Sequence, residues 1–181
     1  MSAIAATASR VVIAFNRSQT ALVVVDSRHG RAIRPAVTIR PDGNVDALAT
    51  SNGTIYIGGL FDRIAGKPRR NAAAIDIKTG HVTAWNPDPA GEVLALAATR
   101  HSVFSGGEFG GVKGVTRRGL AAVNALTGAL LPWNPAVNGP VHALASDGQR
   151  LYVGGAFTRV DGEPRLRLAS FDLASGTLTE W

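Results

Sequence analysis

Apolar residues come in short runs separated by turn residues, and no window shows the three-to-four spacing of an amphipathic helix. Residues 45–92 give the clearest example. The run VDALA at 45–49 is followed by a turn at Ser51, Asn52 and Gly53, then by the β-branched and aromatic run 54–61. A loop at 62–70 leads to 71–76, a tight connection ending at Gly80 leads to 81–85, and the loop 86–92 closes the unit. Four short strands with turn chemistry between each pair are predicted.

The same unit returns at a fixed period. Its strands recur at 93–97, 102–109, 120–124 and 129–133, and again at 141–145, 150–157, 168–172 and 177–181. Trp85, Trp133 and Trp181 are 48 residues apart, as are Val45, Val93 and Val141 and the pairs Gly58-Gly59, Gly106-Gly107 and Gly154-Gly155. A weaker copy precedes them: Ala3, Ile4 and Ala5 match Ala47, Leu48 and Ala49, Val11 to Ile13 match Ile55 to Ile57, and 22–26 match the third strand. Four-stranded units repeated with a period near 45 predict an all-β fold, a β-propeller of four repeats, each a four-stranded antiparallel blade. The expected blades are 1–44, 45–92, 93–140 and 141–181.

Local chemistry agrees. Asp26, Asp76, Asn124 and Asp172 each stand four residues before a glycine, so each side chain is placed to accept turn amides while the glycine takes positive φ. Each recurring Trp ends a fourth strand and is expected to dock on the adjacent blade. The Gly-Gly pairs mark close backbone approach or a bulge.

Composition narrows the function. With 45% hydrophobic and 18% charged residues the chain of 181 residues can bury a core. Cysteine is absent, which excludes disulfides and thiolate metal sites. No apolar run approaches the ~20 residues of a membrane span. The Ala-rich start, interrupted by Arg10, reads as the first strand rather than as a signal peptide. The net charge of +6 is carried mostly by Arg, but no Lys/Arg run exceeds two residues, and no sequence-specific nucleic-acid module is present.

A residue present in every repeat belongs more to the fold than to one active site. The singletons are His29, His81, His101, His142, Glu108, Asp161 and Glu163, and none has metal-ligand or nucleophile-elbow spacing. His142 and Asp46 share a column of the innermost strands and together would make a polar axial site. Arg69 and Arg70, Arg117 and Arg118, and Arg165 with Arg167 occupy one loop in three repeats, which propeller geometry places on one face. Either that face is a cationic binding surface, or each Arg bonds loop carbonyls or stacks on a Trp. These eight residues are the candidate ligand contacts. No catalytic set, metal ion or cofactor is expected.

The unit Tyr56-Ile57-Gly58-Gly59-Leu60-Phe61, Gly66-Lys67-Pro68-Arg69, Ala74-Ile75-Asp76, Thr79-Gly80 and Trp85-Asn86-Pro87 resembles the β-propeller repeats of large secreted or surface bacterial proteins, related to the delta-sixty repeats and the fungal cortical-marker family. The first repeat departs from it, with Val37 where Trp is expected and no Gly-Gly pair. The resemblance implies a secreted or cell-surface, non-enzymatic binding or scaffold domain, contacting a protein or an acidic glycan or other polyanion. It also implies more blades and an export signal, neither of which the sequence displays. Three closures stay open: the end blades meet each other in a four-bladed ring, they meet a second copy in a homodimer, or they meet blades of a longer parent chain. A fainter likeness links Ala74-Ile75-Asp76, Thr79-Gly80 and Trp85 to the tryptophan-docking repeats of quinoproteins, whose implied alternative is a quinone-dependent oxidoreductase; another enzyme with an axial site is the remaining alternative.

Overall fold

The computed structural model describes residues 2–6, 10–15, 21–26, 28, 29, 31 and 41–181, and their regular structure is entirely β. The first sheet is a meander of β1 (Ser2–Ala6), β2 (Arg10–Phe15) and β3 (Ala21–Asp26). The second chain segment forms β4 (Asn44–Ser51), β5 (Thr54–Leu60), the two short strands β6 (Arg63–Ile64) and β7 (Lys67–Pro68), and β8 (Ala72–Asp76). The third forms β9 (Pro89–Ala98), β10 (Ser102–Val112), β11 (Val115–Thr116) and β12 (Leu120–Asn124). The fourth forms β13 (Val141–Ser146), β14 (Arg150–Gly155), β15 (Arg159–Val160), β16 (Glu163–Pro164) and β17 (Leu168–Asp172). The main sheets run β4-β5-β8, β9-β10-β12 and β13-β14-β17, all antiparallel. The fourth strand expected in the first repeat, with Val37, and Gly30 of its hairpin lie outside the described residues.

Two expectations are corrected. The first is the four-stranded blade. In place of a fourth strand each later repeat has a segment joined by one isolated bridge, Ile75 to Val82, Val123 to Leu130 and Phe171 to Leu178. Two backbone bonds hold the segment in the second repeat, His81 O from Asp76 N at 3.0 Å and Ala74 O from Thr83 N at 2.8 Å. Beyond them a side chain takes over, as described below. The second correction is the loop at 62–70, which contains the hairpin of β6 and β7, with equivalents in the next two repeats. Its turns are Ala65-Gly66, Lys113-Gly114 and Asp161-Gly162, all at positive φ (48° and 75°, 51° and 76°, 51° and 83°). Paired left-handed residues are what a two-residue hairpin turn requires. Asp161 is therefore a turn residue.

The core lies between sheets, in three layers, because a sheet apolar on both faces must be covered on both. The second sheet presents aliphatic side chains backward and small or aromatic ones forward. Leu48, Ile55 and Ile75 pack on Ala3 and Val12 of the first sheet. Ala47, Ala49, Tyr56 and Trp85 receive Val93 and Leu96 of the third. Ala97, Phe104 and Ala122 receive Val141, Leu151 and Phe171 of the fourth. The innermost strands accordingly lie in the order β1, β4, β9, β13.

The Gly-Gly pairs have two jobs. Across from each pair the innermost strand carries a register shift, between Val45 and Ala47, between Val93 and Ala95, and between Val141 and Ala143. In addition, a Cβ on Gly58 would lie 2.5 Å from Val93 Cγ1 of the next sheet.

Candidate functional site

The paired arginines divide their work. Arg69 Nη1 donates to Pro68 O at 2.7 Å and Nη2 to Thr83 O at 2.6 Å. Arg117 donates to Thr116 O at 2.8 Å and Leu131 O at 3.3 Å, and Arg165 to Pro164 O and Thr179 O, both at 2.8 Å. Each guanidinium thus bridges its own hairpin to its own outer segment, where ladder bonds stop. Arg is suited to this because its planar fork holds several donors in fixed directions. Of the two sequence readings, loop-carbonyl bonding is what these three side chains do.

The second arginines differ. Arg70 is exposed and pairs with Asp88 at 3.6 Å, a surface contact worth little. Arg118 is exposed and borders a cleft of about 320 Å³ lined by Glu108, Phe109, Val137 and Asn138 among others. The equivalent of Arg118 in the fourth repeat is Leu166, which is exposed. Arg167 instead occupies the column of Asn71 and Gly119, at φ 68° where they have 56° and 69°. Asn71 is buried there, accepting from Phe61 N and donating to Pro89 O; Arg167 is exposed. Arg70, Arg118 and Arg167 are therefore the candidates left facing solvent.

The axial pair does not form as expected. Asp46 and His142 are both bulge residues of innermost strands, but Asp46 interacts with Glu92. His142 is exposed, as are His29, His81 and His101. Burial raises the Asp46 carboxyl, and its Oδ2 is buried without a hydrogen-bond partner. Glu92 is raised by burial first and then by the charges of Asp46 and Glu108. An acidic patch thus sits at this end of the innermost strands of a basic chain. Glu92 was missed because its column holds Asn44 and Pro140, and only its isolation as the charged member marked it. Among the described residues no group of three His, Asp or Glu is placed to hold a metal ion.

The third-strand hairpins are structural. Asp76 Oδ1 accepts from Lys78 N at 2.9 Å and Thr79 N at 2.7 Å, Asn124 Oδ1 accepts from Leu126 N and Thr127 N, both at 2.9 Å, and Asp172 repeats the pattern. The bonds from Thr79, and after them from Lys78, hold the Asp76 carboxyl below its ordinary range. The tryptophans reach forward to these hairpins. Trp85 Nε1 donates to Asn124 O at 3.0 Å and Trp133 Nε1 to Gly176 O at 2.9 Å.

Comparison with known proteins agrees with this architecture. The family described as "Domain of unknown function (DUF5122) beta-propeller" matches residues 145–178. None of the curated proteins matches this chain. Among solved structures, the computationally designed Ika8 protein is 20% identical, with a TM-score of 0.62 over 98% of this chain and 47% of its own. The designed Ika4 protein is 21% identical, with a TM-score of 0.56 over 87% of this chain and 88% of its own. The WD40 domain of Pan2 from Neurospora crassa is 15% identical, with a TM-score of 0.58 over 96% of this chain and 49% of its own. The chain spans about half the length of the first and third of these. These likenesses are to the fold, and the chain is a β-propeller repeat protein. Among the described residues no helix is long and apolar enough to cross a membrane.

Proposed function

We propose that this chain is a non-enzymatic binding or scaffold propeller whose contact surface is the loop face carrying Arg70, Arg118 and Arg167. The supporting observation is the split within the arginines. Arg69, Arg117 and Arg165 are spent on backbone carbonyls, while the other three present their charge outward on the same loops. Among the described residues one side-chain ion pair, Arg70 with Asp88, draws on that charge. An acidic glycan or another polyanion is the partner class that these three outward guanidinium groups suit. Propeller domains commonly bind through one loop face, which also favours a scaffold over an axial enzyme.

The test is binding of a sulfated glycan at low and high salt. Affinity should fall steeply with salt. Arg118→Ala and Arg167→Ala should each weaken binding a few-fold without changing the melting temperature. Arg117→Ala should lower the melting temperature. Absent or salt-insensitive binding would discard the polyanion reading.

A further inference from the structure

Four sheets make three apolar layers, so among the described residues two faces of the array have no covering sheet. The forward face of the fourth sheet repeats the pattern that the second and third bury. Ala143 and Ala145 stand where Ala47 and Ala49 stand, yet both are exposed. Trp181 stands where Trp85 is 2% exposed, but is itself 56% exposed, and Leu168 is 57% exposed. A Cβ on Gly58 or Gly106 would collide with a valine of the following sheet, whereas the nearest atoms to one on Gly154 lie 3.6 Å away on its own sheet. Tyr152 also lacks the forward bond. Tyr56 donates to Ala125 O of the next sheet, and Tyr152 donates to Asp147 of its own turn instead.

The backward face of the first sheet is the matching half. Ile4 occupies the column of Leu48 and Leu96, which are 8% and 7% exposed because each seats on the alanines of the preceding sheet. Ile4 is 67% exposed. The fourth sheet thus carries a socket of Ala143, Ala145, Gly154 and Trp181, and the first sheet a knob of Ile4. Within one chain they do not meet. Among the described residues β13 does not pack on β1 as β4 packs on β1, β9 on β4 and β13 on β9.

We infer that the bare forward face of the fourth sheet receives the backward face of the first sheet of a second copy of this chain, head to tail, so that two chains close one ring. The interface is a continuation of one this chain already makes three times, with Ile4 in the column of Leu48, Leu96 and Leu144. Both halves of it are on this chain, so a second copy presents a knob to the socket and a socket to the knob. A head-to-tail contact of this kind closes when the rotation per unit brings the last face back to the first.

Light scattering after size exclusion tests this on the full chain. The expected mass is twice 18.8 kDa. Ile4→Glu places a charge on the knob, and Ala145→Arg one in the socket. Each alone should halve the mass and leave the far-ultraviolet circular dichroism unchanged. Gly154→Leu, which fills the socket without a charge, should do the same. Mixing Ile4→Glu with Ala145→Arg should restore the double mass, because one joint is then wild-type and the other pairs opposite charges. A wild-type mass of one chain overturns the inference, whether the ring closes on itself or its neighbours belong to a longer chain. Open-ended oligomers, or a double mass that all three variants retain, overturn it as well.

Discussion

Trp133 Nε1 donates to Gly176 O at 2.9 Å, so the last residue of one repeat's outer segment is tied to the hairpin of the next. The indole also stands edge-on to Phe104 of its own sheet and Phe171 of the next, with centroids 5.4 and 5.0 Å apart. Trp85 makes the same bond to Asn124 O and stands edge-on to Tyr56 at 5.2 Å. The two sites differ in closure. Trp85 is 2% exposed, while Trp133 borders a cleft of about 440 Å³ with Leu131, Leu173 and Ser175. Trp85→Ala should therefore cost about 3–5 kcal/mol, the range for emptying a buried aromatic site. Trp133→Ala should cost less, because water already reaches one side of the ring. Trp85→Phe should lose roughly 1 kcal/mol, the net worth of the Nε1 bond. Urea unfolding of the three variants checks the order, and a Trp133→Ala cost equal to that of Trp85→Ala would show that the cleft does not relieve the site.

The glycine column makes an independent statement about the same interfaces. A Cβ on Gly58 would sit 2.5 Å from Val93 Cγ1, and one on Gly106 meets Val141 in the same way. Both valines are fully buried, so neither can move aside without displacing its sheet. Gly58→Ala and Gly106→Ala should each destabilise by about 1–3 kcal/mol through overpacking. Gly106→Ala together with Val141→Ala should recover part of that loss, since the second change removes the colliding methyl. Thermal unfolding of the single and double variants reads the coupling; additive losses would place the strain elsewhere.

The three inner strands of each repeat were legible because burial wrote them into the pattern: alanines alternating with leucine on the innermost strand, β-branched and aromatic residues on the second. β12 spans Leu120–Asn124, as the pattern predicts, and β17 spans Leu168–Asp172 likewise. The outer segments were not legible as non-strands. The run 177–181 alternates like a strand, but its backbone is held by Arg165 at Thr179 O once the ladder ends. Hydropathy reports which side is buried and says nothing about which donor satisfies a carbonyl. The same limit hid the axial pairing. His142 and Asp46 share a column in the sequence, but each is the displaced residue of a bulge, and the neighbour Asp46 finds is Glu92 from another column. The small hairpin of the fourth repeat was visible in principle, since Asp161-Gly162 is a type I′ signal, whereas Ala65-Gly66 and Lys113-Gly114 are not.

Two sets of carboxyls give this protein opposite responses to pH. Asp46 and Glu92 are raised above their ordinary values of 3.8 and 4.5, chiefly by burial. For a raised acid the folded chain binds more protons than the unfolded chain, so its contribution is fully present below the ordinary value and is lost as pH rises through the folded value. Glu92→Gln should therefore raise the melting temperature at neutral pH and give no gain in acid below both ordinary values. Asp76 is lowered from 3.8 by hydrogen bonds from Thr79 and Lys78. Its contribution is present above the ordinary value and disappears as pH falls through the depressed one. Asp76→Asn should keep the turn, because Asn124 already makes it with a neutral amide, and should flatten the acid limb of the stability curve. Melting curves from acid to neutral pH for the wild type and both variants measure the two limbs separately. A Glu92→Gln gain that persists unchanged into acid would mean that its origin is packing rather than the charge Glu92 shares with Asp46 and Glu108.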